Sequence, residues 1–148
     1  MEKSPADLWR HVKSRYFLLG SVCENCGTKY FPPRVVCRKC GRNTKMKPYK
    51  FNGTGEIYSF TTIRAPADEF EEQAPYTVGL IKLDEGPIIE GHILTDESNE
   101  PIKIGTRVKV AFRKMYKEGN EGLIYYHYKF VPAPEQQKKQ EKSKQKRA

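Results

Sequence analysis

Cys23-Glu24-Asn25-Cys26-Gly27 and Cys37-Arg38-Lys39-Cys40-Gly41 are the two stretches from which this chain is read. They hold all four cysteines of a 148-residue sequence, as two Cys-x2-Cys pairs with ten residues between them. Two close pairs joined by a short loop can close over one tetrahedral ion, and this is the spacing of a structural zinc ribbon. Cys23, Cys26, Cys37 and Cys40 are therefore expected to hold one structural Zn2+. A glycine follows each pair, Gly27 and Gly41. A knuckle turn aims backbone N–H groups at thiolate sulfurs and needs a positive φ at that point, which glycine adopts without strain. The segment between the pairs, with Tyr30-Phe31-Pro32-Pro33-Arg34-Val35-Val36 at its centre, reads as two short strands around a Pro-Pro turn. Tyr30 and Phe31 are expected to cover the ion, with Val35 and Val36 leading back to the second knuckle. Iron in a rubredoxin-like site is the competing reading. The ten-residue gap is short for it, so zinc is favoured.

Working outward, residues 21–48 form the ribbon, a module too small to be held by an apolar core and so dependent on its metal. Residues 1–20 form an N-terminal helical segment. Ser4 is placed to cap it, Pro5 suits its first turn, and Asp7 complements the positive end of the helix dipole. Leu8 and Val12 follow a helical spacing, a second short turn is expected near residues 14–19, and Gly20 ends the segment. Trp9, Tyr16 and Phe17 have two readings: packing on the metal module, or an exposed docking surface built from the residue types that anchor interfaces.

Residues 49–132 carry a β pattern. Strands are expected at 56–63, 76–83, 88–94, 107–113 and 123–130, separated by an acidic loop (67–72), an Asp84-Glu85-Gly86 hairpin turn, a longer loop (95–105) and a turn at 119–122. Along the fourth strand Val108, Val110 and Phe112 alternate inward; along the fifth, Ile124, Tyr126, Tyr128 and Phe130 share one face and read as barrel core. Five strands with a long third connection suggest an OB-fold, a five-stranded Greek-key barrel, over an SH3-like barrel. Gly55, Gly79 and Gly91 fall where a small barrel bends its strands. The fold class is thus mainly β: helical segment, zinc ribbon, five-stranded OB barrel. Residues 133–148 read as a disordered basic tail, with too little apolar surface to repay ordering.

The formal net charge of +9 is unevenly spread. Residues 1–50 hold 12 Lys/Arg and 3 Asp/Glu, whereas residues 51–134 hold 9 and 13. A barrel that is net acidic is a poor start for releasing counterions from phosphates, so single-stranded nucleic acid is the disfavoured use of this OB-fold. There is no run of transmembrane length and no apolar leader, and no cysteine is left over for a disulfide, so a cytoplasmic location is expected.

The chemistry of catalysis is hard to find. His11, His92 and His127 are scattered, and the latter two lie in expected strands, where packing is the ordinary role. No Gly-x-Ser-x-Gly, phosphate loop or His-Glu-x-x-His occurs. Glu69, Glu71 and Glu72 sit in the acidic loop, where solvation is the default. Four thiolates close a zinc shell, and a catalytic zinc needs an open position. The expectation is a protein that is not an enzyme.

The residues also carry a resemblance. Trp9-Arg10, Cys23-x2-Cys26-Gly27, Tyr30-Phe31-Pro32-Pro33-Arg34-x2-Cys37-x2-Cys40-Gly41 and Gly53-x-Gly55-x2-Tyr58-Ser59-Phe60-Thr61 resemble the zinc-ribbon OB-fold acyl-CoA-associated family, a former domain of unknown function. Pro75-Tyr76, Leu83-Asp84-Glu85-Gly86-Pro87 and Ile104-Gly105-x2-Val108-x-Val110-x-Phe112 continue it, so that it covers about residues 5–132. The resemblance implies an N-terminal helical hairpin followed by a rubredoxin-like zinc ribbon and an OB-fold. It also implies a non-catalytic partner of thiolase-fold enzymes. In archaea such proteins bridge acetoacetyl-CoA thiolase and hydroxymethylglutaryl-CoA (HMG-CoA) synthase, so that acetoacetyl-CoA is channelled into the mevalonate pathway of isoprenoid biosynthesis. Other members accompany lipid-transfer-type thiolases or acyl-CoA hydratases. The Lys-rich composition and short loops are read as archaeal, which selects the first partnership. Trp9, Tyr16, Phe17 and Arg34 are the candidate partner contacts. Arg34 is alternatively a contact for a CoA phosphate, since a guanidinium suits bidentate phosphate binding.

Overall fold

The structure is a computed structural model that describes residues 5–94, 102–117, 119 and 122–133. Ser4, most of the loop at 95–105, much of the turn at 119–122 and the tail from 134 lie outside the described residues. The chain opens with one helix, α1 (Pro5–Phe17). No second helical turn follows. Leu18 takes φ 49, the left-handed conformation that ends helices, and Leu19 already begins the first strand. Gly20 therefore lies inside a strand, and the described residues contain a single N-terminal helix rather than a helical hairpin.

Three strands make the ribbon sheet, in the order β2 (Lys29–Tyr30), β1 (Leu19–Cys23), β3 (Met46–Lys50). Only one of the two strands expected between the cysteine pairs forms. Residues 31–36 contain no strand, because Pro32 and Pro33 lack the N–H groups a ladder needs. The lysine-rich stretch around Pro48 is the third strand, paired along β1 from Leu19↔Lys50 to Cys23↔Met46.

Five strands then close a barrel in the order β4-β5-β6-β8-β7: β4 (Thr54–Ile63), β5 (Tyr76–Leu83), β6 (Ile88–Ile93), β7 (Arg107–Lys117) and β8 (Ile124–Pro132). All neighbours are antiparallel except β6 and β8, which meet in parallel at Ile93↔Phe130. This is the Greek-key closure of the OB-fold. Gly91 shows why strands in so small a barrel carry glycine: a Cβ there would lie 2.7 Å from the Phe130 ring. Asp84, in the β5–β6 turn, ties the barrel across to β7. Its carboxylate receives two bonds from the Arg107 guanidinium, at 2.6 and 2.7 Å, which hold its pKa below the usual value.

The core belongs to both modules. Leu18, from the helix–ribbon junction, and Phe51, from the ribbon–barrel junction, are buried with Ile57, Ile81, Val108 and Phe130 of the barrel. Phe31 does not cover the metal site as expected. It packs edge-on against Phe51 and Tyr128, with centroids 6.1 and 5.9 Å away.

The two faces of the β7–β8 hairpin also depart from expectation. Tyr128 and Phe130 are core, but Phe112, Ile124 and Tyr126 are 47%, 47% and 40% exposed. β7 pairs with β4 only at Arg107–Lys109 but with β8 as far as Lys117, so the hairpin runs on without a third strand beside it and its inner face leaves the core. The acidic loop is not simply solvated. A first 3-10 helix, η1, is Gly41–Asn43 after the second cysteine pair; Asp68–Gln73 forms another, η2, that lays Phe70 on Tyr76, His92 and Tyr116 at 5.5, 5.6 and 5.5 Å.

Candidate functional site

The strand β1 delivers Cys23, the turn after it Cys26, and the loop returning from residues 31–36 delivers Cys37 and Cys40. Each first cysteine accepts a backbone bond from the glycine four residues on: Gly27 N–H to the Cys23 carbonyl at 2.8 Å, and Gly41 N–H to the Cys37 carbonyl at 3.0 Å. Gly27 has φ 68 and Gly41 φ 54, the left-handed turn expected of knuckles. The four sulfurs lie within 4.8 Å of one another. Cys23 to Cys40 is 3.8 Å and Cys26 to Cys37 is 3.5 Å. A tetrahedral zinc with Zn–S bonds of about 2.3 Å sets its sulfurs about 3.8 Å apart. The donor set therefore fits zinc in chemistry, number and spacing.

The surroundings prepare the thiols for metal. Tyr30 reaches the cluster as expected, its hydroxyl 3.3 Å from Cys37 Sγ. That contact, against the opposing effect of burial and with help from the N–H groups of Cys40 and Lys39, brings the Cys37 thiol down to about 6. Thr28 lowers Cys26 through a bond at 3.2 Å. Crowding by the Cys26 sulfur, then burial, pushes Cys40 up to about 12. Four sulfurs this close cannot all ionise unaided, and a divalent cation among them removes the obstacle. When bound, zinc supplies a structural crosslink. Cys23 and Cys37 are fully buried, and no fifth donor is grouped with the four among the described residues.

The other candidate residues lie on the surface. Trp9 is 80% exposed and Phe17 57%. Tyr16 is half-buried against Phe112, with centroids 4.9 Å apart. Arg34 is exposed, its N–H donated to Ser21 Oγ at 2.9 Å and its guanidinium 5.8 Å from the Tyr30 ring centroid. The structure does not bring Arg34 together with the three aromatics into one cluster. Sequence reading missed the contribution of β7 and β8 to the aromatic surface. The signal it used, alternation, marks a face of a strand but not where the barrel under that face stops. His92 stacks on Tyr76 at 4.9 Å and 8° between planes, a packing role, and is held at about 4 by burial and then by Lys129 and His127.

Comparison with known proteins agrees with this architecture. Residues 11–45 match the ChsH2 rubredoxin-like zinc ribbon domain, and residues 49–113 the ChsH2 C-terminal OB-fold domain. A DUF35 domain-containing scaffold protein of Methanocaldococcus jannaschii is 44% identical over 124 residues, covering 84% of this chain and 87% of its own. The chain belongs to the DUF35 family. A second DUF35 domain-containing scaffold protein, from Methanothermobacter thermautotrophicus, is 43% identical with 84% and 92% coverage. A third, from Pyrococcus furiosus, is 40% identical with 84% and 89% coverage. Among solved structures, the Ltp2-ChsH2(DUF35) aldolase matches with a TM-score of 0.61 and 26% identity, over 89% of this chain and 96% of that one. No helix among the described residues is long and apolar enough to cross a membrane.

Proposed function

We propose that this DUF35 protein is a non-catalytic scaffold that bridges acetoacetyl-CoA thiolase and HMG-CoA synthase. In that role it keeps acetoacetyl-CoA from release between the two enzymes and commits it to the mevalonate pathway. The observation that carries the scaffold role is the family itself: relatives 40–44% identical over 84% of this chain are named scaffold proteins. The architecture suits such a role. A ribbon and a barrel with a common core form one rigid body, and rigidity lets two docked enzymes keep a fixed relation. The four-cysteine site holds one zinc ion as a structural crosslink in this reading, and the protein works in the cytoplasm. Trp9, Tyr16, Phe17 and Arg34 are partner contacts.

A second reading has one observation in its favour. The structural match to an aldolase assembly containing a DUF35 chain supports an accessory subunit of another thiolase-fold enzyme. Mixing the purified protein with purified thiolase and synthase, followed by size-exclusion chromatography, separates the two. A ternary species containing all three is expected. Co-elution with only one of the enzymes favours the accessory reading, and a chain that elutes alone from both overturns the bridge. The isolated protein should turn over no acyl-CoA.

A further inference from the structure

We infer that α1 and the overhanging end of the β7–β8 hairpin form a single docking surface for a protein partner with an apolar groove edged by carboxylates. The inference rests on the scaffold reading and assigns to it a place on the molecule. Trp9, Val12 and Tyr16 recur at helical spacing, so they line one stripe of α1. The hairpin covers only the end of that stripe. Tyr16 meets Phe112 at 4.9 Å, whereas Trp9, seven residues back, is 80% exposed. Phe112 in turn stacks on Tyr126 at 5.4 Å and 16°, and Ile124 lies two residues further along the same face of β8. Trp9, Phe17, Phe112, Ile124 and Tyr126 are all at least 40% exposed. Scattered apolar residues are ordinary on a surface, but a contiguous aromatic run across two elements marks a binding face.

The charges around this run say what covers it. Arg10 and Lys13 lie on the Phe17 side of the helix, and Lys114, two residues beyond Phe112, shares its face of β7; all three are exposed. None has a carboxylate within ion-pair distance among the described residues; the nearest acid on α1, Asp7, faces His11 at 3.4 Å. An apolar centre with an unpaired cationic rim is complementary to an apolar groove with an anionic rim. Nucleic acid fits less well. Tyr16, Phe112 and Tyr126 pack on one another instead of offering free faces, and Ile124 gives a base nothing to stack on.

Trp9 is the only tryptophan of the chain, so fluorotryptophan gives one fluorine NMR signal at the proposed surface. The labelled full-length protein is titrated with unlabelled acetoacetyl-CoA thiolase, then HMG-CoA synthase, then a single-stranded oligonucleotide. Affinities are measured in parallel for Trp9→Ala, for the double reversal Arg10→Glu with Lys114→Glu, and for Val35→Asp as a control on the ribbon loop. One of the two enzymes is expected to move the signal, and both surface variants to bind it about thirtyfold more weakly, with Val35→Asp unchanged. Binding that leaves the Trp9 signal and the variants' affinities unaltered overturns the surface and spares the scaffold. Failure of the wild-type chain to bind either enzyme overturns both. Movement of the signal by the oligonucleotide alone overturns the assignment to a protein partner.

Discussion

Leu18 concentrates two demands that usually fall on different residues. It ends α1 in the left-handed conformation, φ 49, which glycine adopts freely and leucine at a cost of about 1 kcal/mol. It is also 2% exposed in the common core, where truncation of a leucine costs about 3 kcal/mol. Leu18→Ala should therefore lower stability by about 3 kcal/mol in urea unfolding. Leu18→Gly should cost no more, reversing the usual order of alanine over glycine. A glycine variant clearly less stable than the alanine variant would contradict the role given to φ. His92 makes a second prediction. Its pKa is about 4 in the folded chain against 6.5 for an ordinary histidine, because burial, then the Lys129 ammonium and the neighbouring His127 ring, disfavour its charge. Between those values the unfolded chain binds more protons, so this contribution to stability is full above pH 6.5 and declines as pH falls toward about 4. Melting temperatures measured across that window should show the slope, and His92→Phe should flatten it. Neither residue announces itself in sequence, since one depends on where a helix stops and the other on what lies over a strand.

Among elements, η2 shows how far composition can mislead. Asp68–Gln73 is acidic and reads as solvated, yet one aromatic and one amide in it decide its place. Phe70 sits among Tyr76, His92 and Tyr116, and Gln73 accepts a bond from the buried Lys129 ammonium at 3.0 Å while donating to the Met115 carbonyl. The segment thus acts as a strap across the outside of the barrel. Phe70→Ala should cost about 2 kcal/mol, less than a fully buried phenylalanine because this one is only half-buried. It should also let the His92 pKa rise toward 6.5, since water returns to the ring. Proton NMR titration of the histidine reads this directly, and an unmoved pKa would show that η2 does not shield it. The ribbon's knuckles behave in the opposite way. Their spacing, their glycines and their metal chemistry are all local, and the structure repeats what the sequence states.

At the scale of the whole molecule the two modules share one core through Leu18, Phe31 and Phe51. Metal loss should consequently be felt beyond the ribbon. Chelation of zinc should free the loop that carries Phe31 and so remove one ring contact from each of Phe51 and Tyr128. Thermal unfolding of the chelated protein should show one transition, lowered by about 10 °C or more. Two separate transitions, with the barrel's unchanged, would mean the modules are independent. The sequence by itself determined the four-cysteine cluster, the knuckle glycines, the five barrel strands and the family, because each follows from short-range spacing or period. Tertiary structure alone decided that Phe31 leaves the metal for the core, that Phe112 and Tyr126 leave the core for the surface, and that η2 covers the barrel. Those outcomes depend on where a loop ring, a strand that outruns its neighbour and an aromatic side chain meet residues distant in the chain, which no local pattern records.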